Sequence, residues 1–130
     1  RSLAWRKARE IVAVALHEAM HRILVLPRFA PWQEHLSELE EIRQDKAPPL
    51  FVIYPDHSGK FMSAAVPISP GSRDLRCAYP TEWGGLQREA LQEKSGVDDA
   101  VFCHGGRHIA GAVTVDGAIS LAKKAMELAR

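Results

Sequence analysis

The chain has only two cysteines, Cys77 and Cys103, and they are too far apart to form a Cys-x-x-Cys pair. Two cysteines so placed argue against a disulfide framework and a four-thiolate zinc site, and they suit a reducing compartment. Long apolar runs are also missing. The longest, Ile11 to Leu16, is far short of the roughly 20 residues a membrane helix needs, and no basic-apolar-small signal pattern opens the chain. A soluble, intracellular protein with no membrane contact is expected. Neither charge is in excess: 17 Lys and Arg stand against 16 Asp and Glu, a formal net charge of +1. With no continuous basic face, any contact with nucleic acid must rest on a local patch and not on the field of the whole surface.

What is present is enough for one core. The 130 residues are 46% hydrophobic and 25% charged, the balance of a single soluble domain. From Leu3 to Arg22 the apolar residues Leu3, Ala8, Ile11, Val12, Ala15, Leu16 and Ala19 recur at helical spacing. Ile23 to Leu26, closed by Pro27, predicts a buried strand. Pro31 then opens a second, acidic-faced helix through Ile42. Leu50 to Tyr54 and Phe61 to Val66 read as a hairpin around Asp56-His57-Ser58-Gly59-Lys60. Pro67 to Pro80 reads as a loop that must pack or bind something to be worth its length. Thr81 to Lys94 predicts a helix capped by Thr81 and stopped near Gly96. Ala100 to Cys103 predicts a strand, and Thr114 to Arg130 a closing helix. Helices and strands alternate except at the hairpin. The expected fold is therefore α/β (α+β), a single domain over residues 1–130 with a mixed sheet of about four to five strands flanked by helices. Because a helical pattern begins almost at Arg1, further sequence upstream is expected.

Two motifs carry chemistry. His17-Glu18-Ala19-Met20-His21 matches His-Glu-x-x-His, in which a helix sets two histidines on one face for zinc and the glutamate activates water. A zinc hydrolase using His17, Glu18 and His21 is thus one alternative. Against it, Arg22 follows directly and no third ligand stands out; the plainer reading is a helix end with two exposed histidines. The second motif is Cys103-His104-Gly105-Gly106-Arg107-His108, followed by Ile109-Ala110-Gly111. Glycines allow close approach of backbone to ligand, successive amides can form an anion-binding concavity, and Arg107 can grip phosphate with His104 or His108 donating. The plainer reading is a tight turn whose glycines serve positive φ.

Other groups point more weakly. Trp32, Glu34 and His35 could form a base and its partner, although Trp32 and Leu36 suit a core. Arg73 and Arg76, beside Ser69-Pro70-Gly71-Ser72, could line a phosphate path, although arginines in a loop are usually solvated. Cys103 on a buried strand suits packing better than nucleophilic catalysis.

A further set of segments resembles a known family. Ile23-Leu24-Val25-Leu26, Phe29 with Pro31-Trp32, Glu34-His35-Leu36, Val52-Ile53-Tyr54-Pro55, Ala65-Val66-Pro67-Ile68-Ser69-Pro70, Trp83 with Gly85-Leu86, and Lys94-Ser95-Gly96-Val97 are similar to the C-terminal part of the melanocyte-proliferating-gene family, also catalogued as UPF0160. That family resembles DHH-type phosphoesterases, and the resemblance implies a C-terminal lobe that closes over substrate while an N-terminal lobe holds manganese or magnesium. It implies 3′-to-5′ RNA exonuclease activity in mitochondria and nucleus, or in the cytoplasm if the source is bacterial. No Asp-His-His occurs here, so the catalytic lobe is expected upstream, in cis, and this chain alone is expected to be inactive, with no catalytic residue of its own. His104, Ile109 and Gly111 match the family pattern after the Ser-Gly-Val turn, whereas Arg107 and His108 depart from it. Gly-Gly-Arg-His followed by Ala-Gly-Ala is similar instead to the phosphate-contacting signature of other DHH phosphoesterases. Cys77 and Gly84 stand where the family usually has a basic residue, and Arg76 is retained. The resemblance thus implies an RNA- or oligonucleotide-phosphate site at His104, Gly105, Gly106, Arg107, His108, Gly111 and Arg76. The remaining alternative is a non-catalytic dimerisation or scaffolding domain, forming a homodimer through exposed apolar residues of the first helix.

Overall fold

The computed structural model describes residues 1–129. Helix α1 (Leu3–Glu18) starts at Ser2, whose side chain accepts from the Trp5 amide at 3.0 Å, and buries Ala8, Val12, Ala15 and Leu16. It is followed by β1 (Ile23–Val25), α2 (Gln33–Arg43), β2 (Phe51–Pro55) and β3 (Phe61–Ala65). A 3-10 turn (Thr81–Trp83) and α3 (Arg88–Ser95) lead to β4 (Ala100–Cys103), β5 (Ile109–Ala112) and α4 (Val115–Leu128). The five strands form one sheet in the order β1-β2-β3-β5-β4. Only β1 and β2 pair in parallel, so the mixed α/β sheet expected from the hairpin is the one observed.

Side-chain alternation along β2 explains its unbroken apolar run. Phe51 and Ile53 enter one core with Tyr79, Trp83, Leu91 and the α4 residues Ala118, Leu121 and Ala122. Val52 points to the opposite face and joins Val12 and Leu16 of α1, Leu36 of α2 and Leu24 of β1. A central strand covered on both faces needs apolar residues at every position. Two helical layers thus enclose the sheet.

Three elements differ from their sequence patterns. Helix α1 stops at Glu18, because Ala19 is extended (ψ 140°) and His21 and Arg22 are both left-handed, at φ 56° and 63°. This two-residue turn pairs Met20 with Ile23 and delivers the chain directly into β1. The helix expected over Thr81 to Lys94 is divided: Gly84-Gly85 interrupts it, with Gly85 at φ 84°, and Gln87 bridges to Phe102 before α3 begins. Strand β5 goes unannounced in sequence because Ile109-Ala110-Gly111-Ala112 has little β-branched or aromatic character.

The Pro67–Pro80 loop packs. Leu75 and Cys77 lie against the core, and Tyr79 is fully buried, its hydroxyl donating to the Ser63 carbonyl at 2.8 Å and contacting Ser63 Oγ. Burying such an aromatic side chain contributes on the order of 2–3 kcal/mol, enough to order a loop otherwise poor in regular structure.

Candidate functional site

The β4–β5 hairpin is closed by residues 104–108. His104 donates its amide to Ile109 O at 2.9 Å, and the Arg107 amide donates to His104 O at 2.8 Å, which closes a tight turn over Gly105 and Gly106. Neither glycine has positive φ; the left-handed residue is Arg107, at φ 59°. The glycines therefore serve a different purpose. A Cβ on Gly106 would sit 3.0 Å from His108 Nδ1 and 3.3 Å from His104 Nδ1, so its absence lets the two imidazoles approach each other. Their ring centroids are 4.6 Å apart in an edge-on arrangement. Gly105 has open space around its Cβ position.

Each polar group in the turn has a defined state. His104 Nδ1 accepts from the Gly106 amide at 2.9 Å, so a neutral His104 carries its proton on Nε2 and presents it outward. Burial and the neighbouring His104 hold His108 below its ordinary value of 6.5, so it is neutral at pH 7. Arg107 Nη1 donates to Tyr79 O at 3.0 Å and to Thr81 Oγ1 at 3.1 Å, while the Tyr79 amide donates back to Arg107 O. A left-handed arginine costs about 1–2 kcal/mol, and these braces hold it there. Two turn amides, Gly106 and Arg107, are spent inside the turn, so a row of free successive amides does not form. What remains for an anion is a side-chain grip.

The other expected site residues lie elsewhere. Arg76 closes a fork on Glu40 and donates to Pro49 O at 2.8 Å, away from the turn. Gly111 is buried on β5, where a Cβ would meet Phe102 Cε1 at 2.6 Å. A register shift between Ala100 and Phe102 lays the phenyl ring on that glycine, which gives Gly111 a packing role. The helical premise of the zinc alternative is overturned: with α1 ending at Glu18, His17 and His21 do not share a helical face. Among the described residues no group of three or more His, Cys, Asp or Glu is placed to hold a metal ion. His35 pairs with Arg9, not with Glu34. Burial raises the Cys103 thiol to about 11, which keeps it protonated and unreactive at neutral pH. Among the described residues no helix is long and apolar enough to cross a membrane. Val14 of α1, the kind of exposed apolar residue the scaffolding alternative invokes, lines an open groove of about 1010 Å³ with Met20 and Val25.

Comparison with known proteins agrees with the segments quoted above. A family model described as an uncharacterised protein family, UPF0160, matches residues 1–126. The chain belongs to the UPF0160 family. It is 37% identical over 128 residues to the MYG1 protein of Saccharomyces cerevisiae, covering 95% of this chain and 38% of that protein. It is 37% identical to the MYG1 protein of Dictyostelium discoideum, over 95% of this chain and 39% of that one. With the MYG1 exonuclease of Homo sapiens it shares 36% identity, over 92% of this chain and 34% of the human protein. The chain thus spans between a third and two fifths of the length of these UPF0160 relatives. No solved structure matches it.

Tyr79 and Thr81 were invisible in sequence as parts of this turn. They lie 28 and 26 residues from Arg107 and hold it through one backbone and one side-chain oxygen, which leave no spacing signal.

Proposed function

We propose that this chain is the substrate-binding lobe of a longer DHH-type, metal-dependent phosphoesterase, a 3′-to-5′ RNA exonuclease, and that residues 104–108 hold a phosphate of the RNA. The observation that carries this reading is Arg107, a strained, left-handed cation braced on Tyr79 and Thr81 beside two imidazoles at an exposed turn. The name of the human relative, an exonuclease, supports the reaction class. Gly84 adds a further support. A Cβ there would lie 3.3 Å from Arg107 Cγ and 3.3 Å from Gly105 O, so glycine at 84 leaves room for Arg107 to cross it. The cation that the family resemblance places at position 84 is supplied here from position 107.

In this reading Arg107 neutralises phosphate charge, while His104 and neutral His108 donate hydrogen bonds and fix its orientation. The hydrolytic step, with its manganese or magnesium, belongs to the remainder of the longer protein, joined in cis. Titration of a short RNA tests the proposal. Arg107→Ala should weaken binding about tenfold or more, the ordinary loss for a charged hydrogen-bonding partner. The isolated chain should hydrolyse no RNA in the presence of manganese. An Arg107→Ala chain that binds RNA as tightly as the parent, or enzyme-like hydrolysis by the isolated chain, overturns it.

A further inference from the structure

On the side of the sheet covered by α1 and α2, a cleft of about 720 Å³ opens between α1, the segment before α2, and β3–β5. Its volume lies within the range of about 300–1,000 Å³ common to small-molecule sites. Its walls are aromatic. Phe29, 56% exposed, meets the ring of Tyr54 edge-on at 5.1 Å, and Trp5 meets His35 edge-on at 4.9 Å. His108 and Ile109 line the end nearest the phosphate turn, so cleft and turn share a residue.

His35 gives the cleft a polar feature that its fold does not consume. The residue is only 6% exposed, and its Nδ1 accepts from Arg9 Nε at 2.9 Å. An arginine always donates, so the ring is fixed as the tautomer with hydrogen on Nε2. Nε2 has no hydrogen-bond partner among the described residues, yet no buried side-chain polar atom there is left unsatisfied. Nε2 must therefore reach solvent, and the opening beside it is the cleft that His35 lines. This donor, on a residue that is only 6% exposed, is held in one tautomer by Arg9 and left open to an aromatic-walled cleft, where an acceptor on the edge of a flat ligand can replace water.

We infer that this cleft binds a nucleobase, stacked on Phe29 with a carbonyl oxygen or ring nitrogen of its edge accepting from His35 Nε2. The inference rests on the phosphate-turn reading for its ligand class and extends it, placing the base of one nucleotide beside the phosphate that His108 and Arg107 hold. Stacking tolerates any base, while the single donor favours an acceptor edge.

Adenosine, which has no phosphate, and ribose 5-phosphate, which has no base, separate the two sites. Each is titrated into the intact chain while the Trp5 indole and Phe29 ring signals are followed by NMR. Adenosine should perturb Trp5 and Phe29, and Phe29→Ala, at an exposed position that leaves the core untouched, should raise its Kd about tenfold. His35→Gln, whose carboxamide both accepts from Arg9 and donates, should keep adenosine binding within about twofold, whereas His35→Phe should not. If ribose 5-phosphate binds at the turn and adenosine leaves the cleft signals unchanged, the inference falls and the phosphate reading stands. If adenosine binds in the cleft but Arg107→Ala alters no phosphate-containing ligand, the cleft stands and the phosphate reading falls. Adenosine binding that is unaffected by Phe29→Ala also overturns the inference.

Discussion

Arg76 and Glu40 form a two-pronged ion pair, with Nη1 at 2.7 Å from one carboxylate oxygen and Nη2 at 2.6 Å from the other. A third bond, from Nη1 to Pro49 O, completes the commitment of this guanidinium to the fold. Both side chains are largely covered, at 18% and 13% exposure, so removing one leaves the other poorly solvated. Arg76→Ala is expected to lower stability by about 2 kcal/mol, read from urea unfolding, and to leave the RNA Kd within about twofold. A large loss of affinity at unchanged stability would return Arg76 to the binding surface.

The left-handed backbone of Arg107 separates strain from function. Arg107→Ala and Arg107→Gly both remove the guanidinium and its bonds to Tyr79 and Thr81, but only glycine is at ease at φ 59°. The glycine variant should unfold about 1 kcal/mol later than the alanine variant in urea titrations, while both bind RNA equally poorly. Equal stabilities would show that the turn relaxes when the arginine is lost.

Gly111 is expected to behave as a packing residue. An added Cβ meets Phe102 at 2.6 Å and the Met62 methyl at 3.0 Å, both within the sheet. Gly111→Ala should cost about 1–3 kcal/mol of stability by thermal or urea unfolding. A neutral Gly111→Ala with impaired RNA binding would contradict this placement.

The pH dependence of folding follows from His35. Burial first, then the charge of Arg9, holds its imidazole below the ordinary 6.5, against the opposite pull of Glu38 and Glu34. The unfolded chain therefore takes up a proton near 6.5 that the folded chain refuses. The contribution is fully present above that value and is lost as the pH falls below it. His108 is lowered by burial and His104, so it acts in the same sense. The melting temperature should drop between about pH 7.5 and about pH 5.5, and His35→Gln should flatten part of that drop. A parent chain whose melting temperature rises on acidification over this interval would contradict the assignment.

What sequence could and could not show follows from where each signal resides. The Leu50 to Tyr54 run announced a strand of the hairpin and the pattern from Thr114 onward announced the closing helix, because burial writes itself into local apolar periodicity. The end of α1 was hidden, because the apolar pattern continues through Ala19 while the backbone turns at His21 and Arg22 with no glycine or proline to mark the turn. The same blindness made His17 and His21 look like a ligand pair. At the turn, the residues at 104–108 stood out by type, but the reason for Gly106 lies in the approach of two rings, and the hold on Arg107 comes from residues distant in the chain. His35 was visible as a residue; its fixed tautomer depends on Arg9, 26 positions away.

The salt dependence of RNA binding tests the phosphate grip of the 104–108 turn most directly. Each phosphate contact made by a cation adds roughly 0.7–0.9 to the slope of log K against log salt. With Arg107 on a phosphate, Arg107→Ala should weaken binding and reduce that slope by about one. Parent and Arg107→Ala lines that superimpose across the salt range would contradict the grip.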